Sequence, residues 1–304
     1  MTTTSLSARP DALLRRRGRQ RWVGWAFLAP FMIVFLLVLV APVIYSIYLS
    51  LFSEQLIGGT SFVGFDNYAE ALVDPKFWSS FGRVAIFLVV QVPIMLGIAL
   101  AASLAIDSAR LRLSSFFRIA IFLPYAVPAV VATLMWGFMY GTRFGLIGNV
   151  NDAFGLELPA PLSSSWILAS IGNIVTWEFV GYNMLIFYAA LRVIPAELYE
   201  AASLDGAGAY RVIWNIKIPA IRGAIMISAI FSIIGSFQLF NEPNILKTLA
   251  PNAISTYFTP NMYAYNLSFS GQQFNYSAAI AIIMGLITVV IAYVVQLSGT
   301  RKAA

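Results

Sequence analysis

One carboxylate stands alone inside a long apolar run. Glu178 lies within the stretch from Trp166 to Leu191 and is the only charged side chain deep inside a hydrophobic segment of this chain. An ionised carboxylate at the centre of a bilayer costs roughly 2.5–3.5 kcal/mol on insertion scales, so it must be paired, wetted or protonated and does not face lipid. Gly181 and Tyr182 follow three and four positions on, which puts all three on one helix face, flanked by Trp177 and Asn183. Together these residues offer a hydroxyl-rich ligand an acceptor, donors and a ring to stack on. The plainer reading is packing, with Glu178 hydrogen-bonded to a neighbouring subunit's helix. Ser228, Ser232 and Ser236 recur at every fourth position beside Gly235. Such a stripe of small residues most often packs helices. It also suits the wall of a polar path, with Gln238 and Asn241 near one end.

Other chemistry is excluded by what is missing. The 304 residues include no Cys and no His. Disulfides, thiolate nucleophiles, histidine bases and nearly all zinc or iron sites are therefore ruled out. No Gly-Lys dipeptide occurs, so there is no phosphate-cradling loop of the Walker type. If ATP drives this chain, another chain binds it. An intramembrane hydrolase without Cys or His would need two buried carboxylates, and the sequence places one.

The elements that must position these groups are membrane helices. The chain is 60% hydrophobic and 11% charged, whereas soluble domains carry about 25% charged residues. Apolar runs predict an all-α, polytopic protein with six spans, at about 25–51, 84–106, 119–140, 166–191, 220–240 and 277–297. The uncharged run from Trp22 to Ser53 is too long for a signal peptide, so the first span is read as uncleaved, with Pro30 and Pro42 as possible kinks. Pro124 and Pro128 in the third span free backbone carbonyls that need a neighbouring helix or a cavity. A basic tail (1–21), a six-helix domain (22–298) and a short tail (299–304) are expected. With the N-terminus inside, inner segments hold 15 of the 19 Lys and Arg residues, leaving Lys76, Arg83, Arg143 and Lys247 outside. The positive-inside rule thus sets both termini, and the loop at 193–219, in the cytoplasm. The +6 net charge lies at the ends of apolar runs and points to anionic lipid, not nucleic acid.

That loop is the only long polar-studded segment between spans. Pro195 suits the first turn of a short helix, with Glu197 and Glu200 near its positive end. Gly206 and Gly208 break the helix, and Asp205 just before the break offers a side chain that accepts from backbone N–H groups. A second helix follows, with Tyr210, Ile213, Trp214 and Ile216 as apolar contacts, and Pro219 stops it. The expected shape is helix, glycine elbow, helix, lying across the membrane surface.

The residue pattern resembles the EAA loop of permease subunits from binding-protein-dependent ABC importers. The matching residues are Glu200-Ala201-Ala202, Asp205-Gly206-Ala207, then Ile213, Ile216, Ile218 and Pro219. Ile213 stands where the family prefers Phe, and Ile218 where it prefers Leu. Weaker matches to maltose-type sugar permeases extend over residues 22–300, including Val63-Gly64, Asn67-Tyr68 and Leu123-Pro124-Tyr125-Ala126-Val127-Pro128. The resemblance implies that the loop is a coupling helix docked on an ATPase. It implies further partners: a second homologous permease subunit, an ABC ATPase dimer that binds ATP and Mg2+, and an extracytoplasmic solute-binding protein. No cofactor is expected on this chain. Counted from the loop, substrate-site positions of the family fall on Tyr182, Ser232 and Ser236, the last replacing an asparagine. A further site asparagine falls on Leu239, and Glu178 also departs from the pattern. The segment from Phe240 to Pro243, with Tyr263–Leu267, is similar to actinobacterial permeases for β-linked oligosaccharides. The expected function is carbohydrate uptake by alternating access. Two alternatives stand: an ABC permease for a polyol or glycerol phosphate, and a secondary transporter using Glu178 as a proton relay. Uptake that survives ATP depletion but collapses with a protonophore would favour the latter.

Overall fold

A computed structural model describes residues 24–55, 58–108, 111–143 and 145–301, without the side chains of 298–301. The basic tail at 1–21, residues 302–304 of the tail at 299–304, and Arg110 lie outside the described residues. The chain opens with α1 (Gly24–Ser50). It turns through an antiparallel hairpin, β1 (Phe52–Gln55) and β2 (Gly59–Phe62), into α2 (Asp66–Val73) and α3 (Pro75–Asp107). Next come α4 (Ser114–Phe122), a 3-10 turn (Leu123–Ala126), α5 (Ala129–Met139) and α6 (Leu146–Phe154). α7 (Ile167–Leu191) precedes α8 (Ala196–Leu204) and α9 (Ala209–Val212); α10 (Arg222–Phe237), α11 (Asn241–Leu246), α12 (Pro260–Phe269) and α13 (Phe274–Arg301) follow.

Among the described residues, five helical runs are long and apolar enough to cross a membrane, and a bent pair makes a sixth if it is one span. The bent pair corrects the expected third span. α4 with its 3-10 turn, and α5, meet at 97° instead of forming one rod. Pro124 tightens the chain into the 3-10 turn, and Val127, held extended (ψ 130°) before Pro128, ends it. The break lies against α7 where Gly181 has no side chain: a Cβ there would meet the Ile121 carbonyl oxygen at 2.1 Å. The fifth span also runs further than its apolar stretch, from Arg222 to Leu246, so Glu242 belongs to it and is buried. The hairpin and α2, α6 and α12 occupy stretches read as loops.

Among the described residues, two π-turns interrupt otherwise regular helix, at Leu36–Val40 and Ile213–Lys217. In each, the residue after the turn bonds five back, Ala41 N–H to Leu36 O and Ile218 N–H to Ile213 O. Each lies one residue short of a proline, Pro42 or Pro219. A proline ring clashes with the carbonyl four positions earlier, and widening the preceding turn relieves the clash.

α3 and α7 pack along one another at the centre, with α10 beside α3 and α13 beside α10. The core is layered: Phe77, Val84, Ile233, Tyr276 and Ile280 at one end; Phe87, Ile171, Ile174 and Met262 beside them; Ala99, Ile106, Met184, Phe187, Leu191 and Ile221 at the other end. α1 touches the rest of the bundle mainly through its last turns against α13, and its most apolar window is wholly unburied. Its apolar side chains are left uncovered, which costs little where lipid tails, as apolar as they are, take the place of water.

Candidate functional site

The elbow at 193–219 sits at the end of the bundle where α3 and α7 finish. α8 starts at Ala196, one position later than expected, with Pro195 as its N-cap residue and not in its first turn, and it stops by backbone closure. Gly206 takes the left-handed conformation (φ +68°), Gly206 N–H bonds Ser203 O at 3.1 Å, and Ala207 N–H bonds Ala202 O at 2.9 Å. This is a Schellman cap, for which glycine is the least strained choice. The Asp205 carboxylate accepts no hydrogen bond among the described residues; the backbone supplies the closure expected of it. Ala202 is buried, Ala207, Ile213 and Ile216 are half-buried, and Glu200, Ala201, Asp205, Gly206 and Pro219 are exposed. Ala202, Ala207, Ile213 and Ile216 thus face the bundle, and the polar members Glu200 and Asp205 face away. With them stand large uncovered apolar side chains: Leu204 is 89% exposed and Tyr210 76%, and the Tyr210 and Trp214 rings lie 6.0 Å apart.

Behind the elbow is a cavity of about 730 Å³, walled by Asp107, Leu191, Tyr199, Ala207, Ile213 and Lys217 among others. Lys217 Nζ lies 2.6 Å from Asp107 Oδ2 and 5.5 Å from the centre of the Tyr199 ring. Burial pushes the Tyr199 hydroxyl above its ordinary range, and the Asp107 charge adds to the rise while Arg192 opposes it. The phenol therefore stays neutral against the ion pair.

A second cavity of about 420 Å³ lies in the middle of the bundle. Its walls are Phe87, Gln91 and Met95 of α3, Tyr125 of the 3-10 turn, and Val175, Phe179, Tyr182 and Asn183 of α7. Phe231, Ser232, Gly235 and Ser236 of α10 face these, and the stretch Gln238–Glu242 completes it. Among the residues singled out by sequence, Tyr182, Asn183, Ser232, Gly235, Ser236, Gln238, Leu239 and Asn241 line it. Tyr182 stacks on Tyr125, ring centres 4.9 Å apart and 19° from parallel. Gln91 donates to Thr176 Oγ1 at 3.3 Å, and Asn183 donates to Phe179 O at 3.0 Å. Ser236 donates to Ser232 O at 2.8 Å, which leaves its lone pairs to the cavity. Trp177 and Glu178 stand outside this wall. Trp177 meets Trp136 edge to face at 5.9 Å. Glu178 is 4% exposed, and neither carboxylate oxygen has a hydrogen-bond partner among the described residues.

Gln91, Met95, Tyr125 and Glu242 are lining residues that the sequence reading did not place there. Gln91 carried a signal, being the one amide within the apolar run of α3. Glu242 carried none, because its helix resumes after a break. The cavity presents aromatic faces, hydroxyls, amides and one carboxylate, with no Lys or Arg in its wall. That surface suits an uncharged, hydroxyl-bearing solute.

The opposite end of the bundle is tied by long-range polar contacts. Asp74 caps α3, accepting from Lys76 N–H at 2.8 Å, Tyr263 O–H at 2.6 Å and Tyr276 O–H at 2.9 Å. Burial pushes its carboxyl up, but these hydrogen bonds outweigh that and hold it below the usual range. Arg83 donates to the Tyr257 and Phe258 carbonyls, both at 3.0 Å, and covers both rings. Asn67 bonds Ser50 O and Phe52 O at 2.8 Å, and Asn275 bonds Leu49 O at 2.8 Å.

Known proteins match this arrangement. The family described as "binding-protein-dependent transport system inner membrane component" matches residues 93–302. The lactose transport system permease protein LacF of Rhizobium radiobacter is 32% identical, over 89% of this chain and 91% of that protein. The diacetylchitobiose uptake system permease protein NgcF of Streptomyces coelicolor is 31% identical, over 78% of this chain and 70% of its own. Among solved structures, a chain of a bacterial ABC transporter that imports the acidic polysaccharide alginate superposes with a TM-score of 0.83 at 20% identity. The match covers 95% of this chain and 98% of that one.

Proposed function

This chain belongs to the binding-protein-dependent transport system inner membrane component family, and from that premise we propose that it carries an uncharged saccharide through its central cavity. Members of the family are permease subunits of ABC importers, not enzymes; a separate subunit hydrolyses ATP. ATP and Mg2+ bind that partner, and this chain holds neither. The elbow is the coupling element. Its motif turns Glu200, Asp205 and Gly206 outward beside the uncovered Leu204, Tyr210 and Trp214, a surface suited to a groove on the ATPase. The excess of Lys and Arg on the same side of the bilayer puts the elbow, and both termini, in the cytoplasm. A second, homologous permease subunit completes the transport path, since one elbow serves one ATPase subunit of a pair.

The end bearing the hairpin then faces outward and receives the solute-binding protein. A related alginate transporter has been crystallised with its pentasaccharide-bound periplasmic protein. Relatives are named for lactose, diacetylchitobiose and arabinooligosaccharides, and this cavity, with stacked Tyr125 and Tyr182 beside Ser232, Ser236 and Asn183, fits sugars of that neutral kind. A polyol needs the same groups without the ring to stack. Glycerol phosphate would want a cation in the wall, where none stands. Solute enters from outside, nucleotide closure of the ATPase dimer moves the elbows, and the cavity changes the side to which it opens.

The exposed face of the elbow is the observation that carries this reading. Glu200→Lys reverses a charge there without touching the core. The chain should still insert, but copurification with the ATPase should fall about tenfold or more, the scale expected for a charge reversal at a partner surface. Unchanged copurification would refute the coupling role.

A further inference from the structure

We propose that the Lys217–Asp107 ion pair is the strut through which the elbow moves α3, and so the wall of the central cavity. The proposal rests on the coupling role given to the elbow above.

The elbow is lightly held. Of α8, only Ala202 is buried, and neither α9 nor the π-turn after it buries a residue. Apolar packing is therefore a weak means of transmitting motion from it. The ion pair is different. It joins residues 110 positions apart at 2.6 Å, with side chains only 14% and 9% exposed. Charges so placed are poorly screened and poorly replaced by water, so parting them is costly. Asp107 is the last residue of α3, at the negative end of the helix dipole, where a carboxylate is disfavoured by its own helix. Its placement is accounted for by Lys217, not by α3.

Geometry continues the path. α3 is 33 residues long, roughly 50 Å at 1.5 Å per residue. Met95 and Gln91, twelve and sixteen positions before Asp107, stand in the cavity wall. Pro93 lies between them. It withholds one donor from the ladder, and the helix is most pliable where the ladder is interrupted. A pull on Asp107 is thus carried by regular helix as far as the cavity and yields there. The free volume behind the elbow leaves room for Lys217 and Tyr199 to shift without clash.

The chain has no cysteine, which makes the test clean. Met95→Cys supplies one thiol at the cavity, and the probe is its rate of reaction with N-ethylmaleimide in membranes containing the whole transporter, with and without ATP and vanadate. Nucleotide should change that rate about fivefold or more, the lower range of ordinary coupling between sites. Adding Asp107→Asn or Lys217→Met should abolish most of the change while ATPase copurification persists, and the exchange Asp107→Lys with Lys217→Asp should restore it. A nucleotide response that survives both single changes would overturn the proposal. So would no response even with the ion pair intact, or loss of the ATPase from either variant, which would mark the pair as part of docking or folding. Glu200→Lys separates the two levels. If it abolishes copurification while the ion-pair variants respond normally, the elbow still couples and only the strut is wrong.

Discussion

The two ends of α3 are built on opposite plans. At its start, Asp74 gathers three donors from three segments and Arg83 fixes the loop before α12 by two carbonyls and two rings. At its finish, a single helix residue of the elbow is buried, and Lys217 with Asp107 is the polar tie to the bundle described above. The first end spends its polar groups on itself. The second leaves apolar side chains uncovered and holds its own backbone together with a glycine cap. A surface meant to receive a ligand-carrying protein benefits from a fixed shape, since ordering it on contact would cost affinity. An element that must be displaced benefits from shallow attachment, because only lightly packed segments move at small energetic cost.

This contrast should be breakable at both ends. Gly206→Pro has the largest expected effect. It forbids the left-handed cap and removes the N–H that bonds Ser203, and nucleotide-driven uptake should be lost altogether. The melting temperature of the detergent-solubilised chain should hardly move, because the elbow adds little to the core. Arg83→Met should do the reverse. Loss of two hydrogen bonds from a charged donor, each worth about 1.5–3 kcal/mol, should lower the melting temperature by several degrees and leave ATPase copurification intact. Asp74→Asn is milder, at about 1–2 kcal/mol for weakened phenol bonds. It also predicts a pH dependence. A carboxyl whose folded value is depressed contributes stability that is complete above its unfolded value near 4 and is lost as pH falls through the folded value. Protease resistance of the hairpin end should therefore be flat from neutral pH to about 5 and fall only below about 4, and Asp74→Asn should flatten that fall. If cap variants disturbed ATPase binding, or elbow variants melted the bundle, the division of labour would be wrong.

The spans were legible because hydropathy alone locates an apolar run, and the elbow was legible because Glu200, Gly206 and Pro219 each have a local meaning. What escaped the sequence was set by distance along the chain. Pro124 and Pro128 announced a break, but the 97° bend depends on Gly181, some fifty residues on, admitting the Ile121 carbonyl. Asp74 read as part of an ordinary outer loop, since its partners Tyr263 and Tyr276 lie 189 and 202 residues away. Glu242 read as loop because Phe237 ends one helix before Asn241 starts the next. At the cavity, Tyr182 and Ser232 stood out as polar groups within apolar helices, whereas Met95 and Phe87 looked like any core residue.

The π-turn in α1 has a consequence for how that helix presents itself to the bilayer. Such a turn carries one residue more than an α-helical turn requires. Every side chain before Leu36 is accordingly rotated by about 100° about the axis from where an unbroken helix would aim it. Removing one residue between Leu36 and Val40 would leave the anchored half, Ala41–Ser50, where it is and swing a different stripe of the free half toward whatever lies beside it. The azimuth of the entry helix is thus a one-residue setting, and Pro42 holds it there.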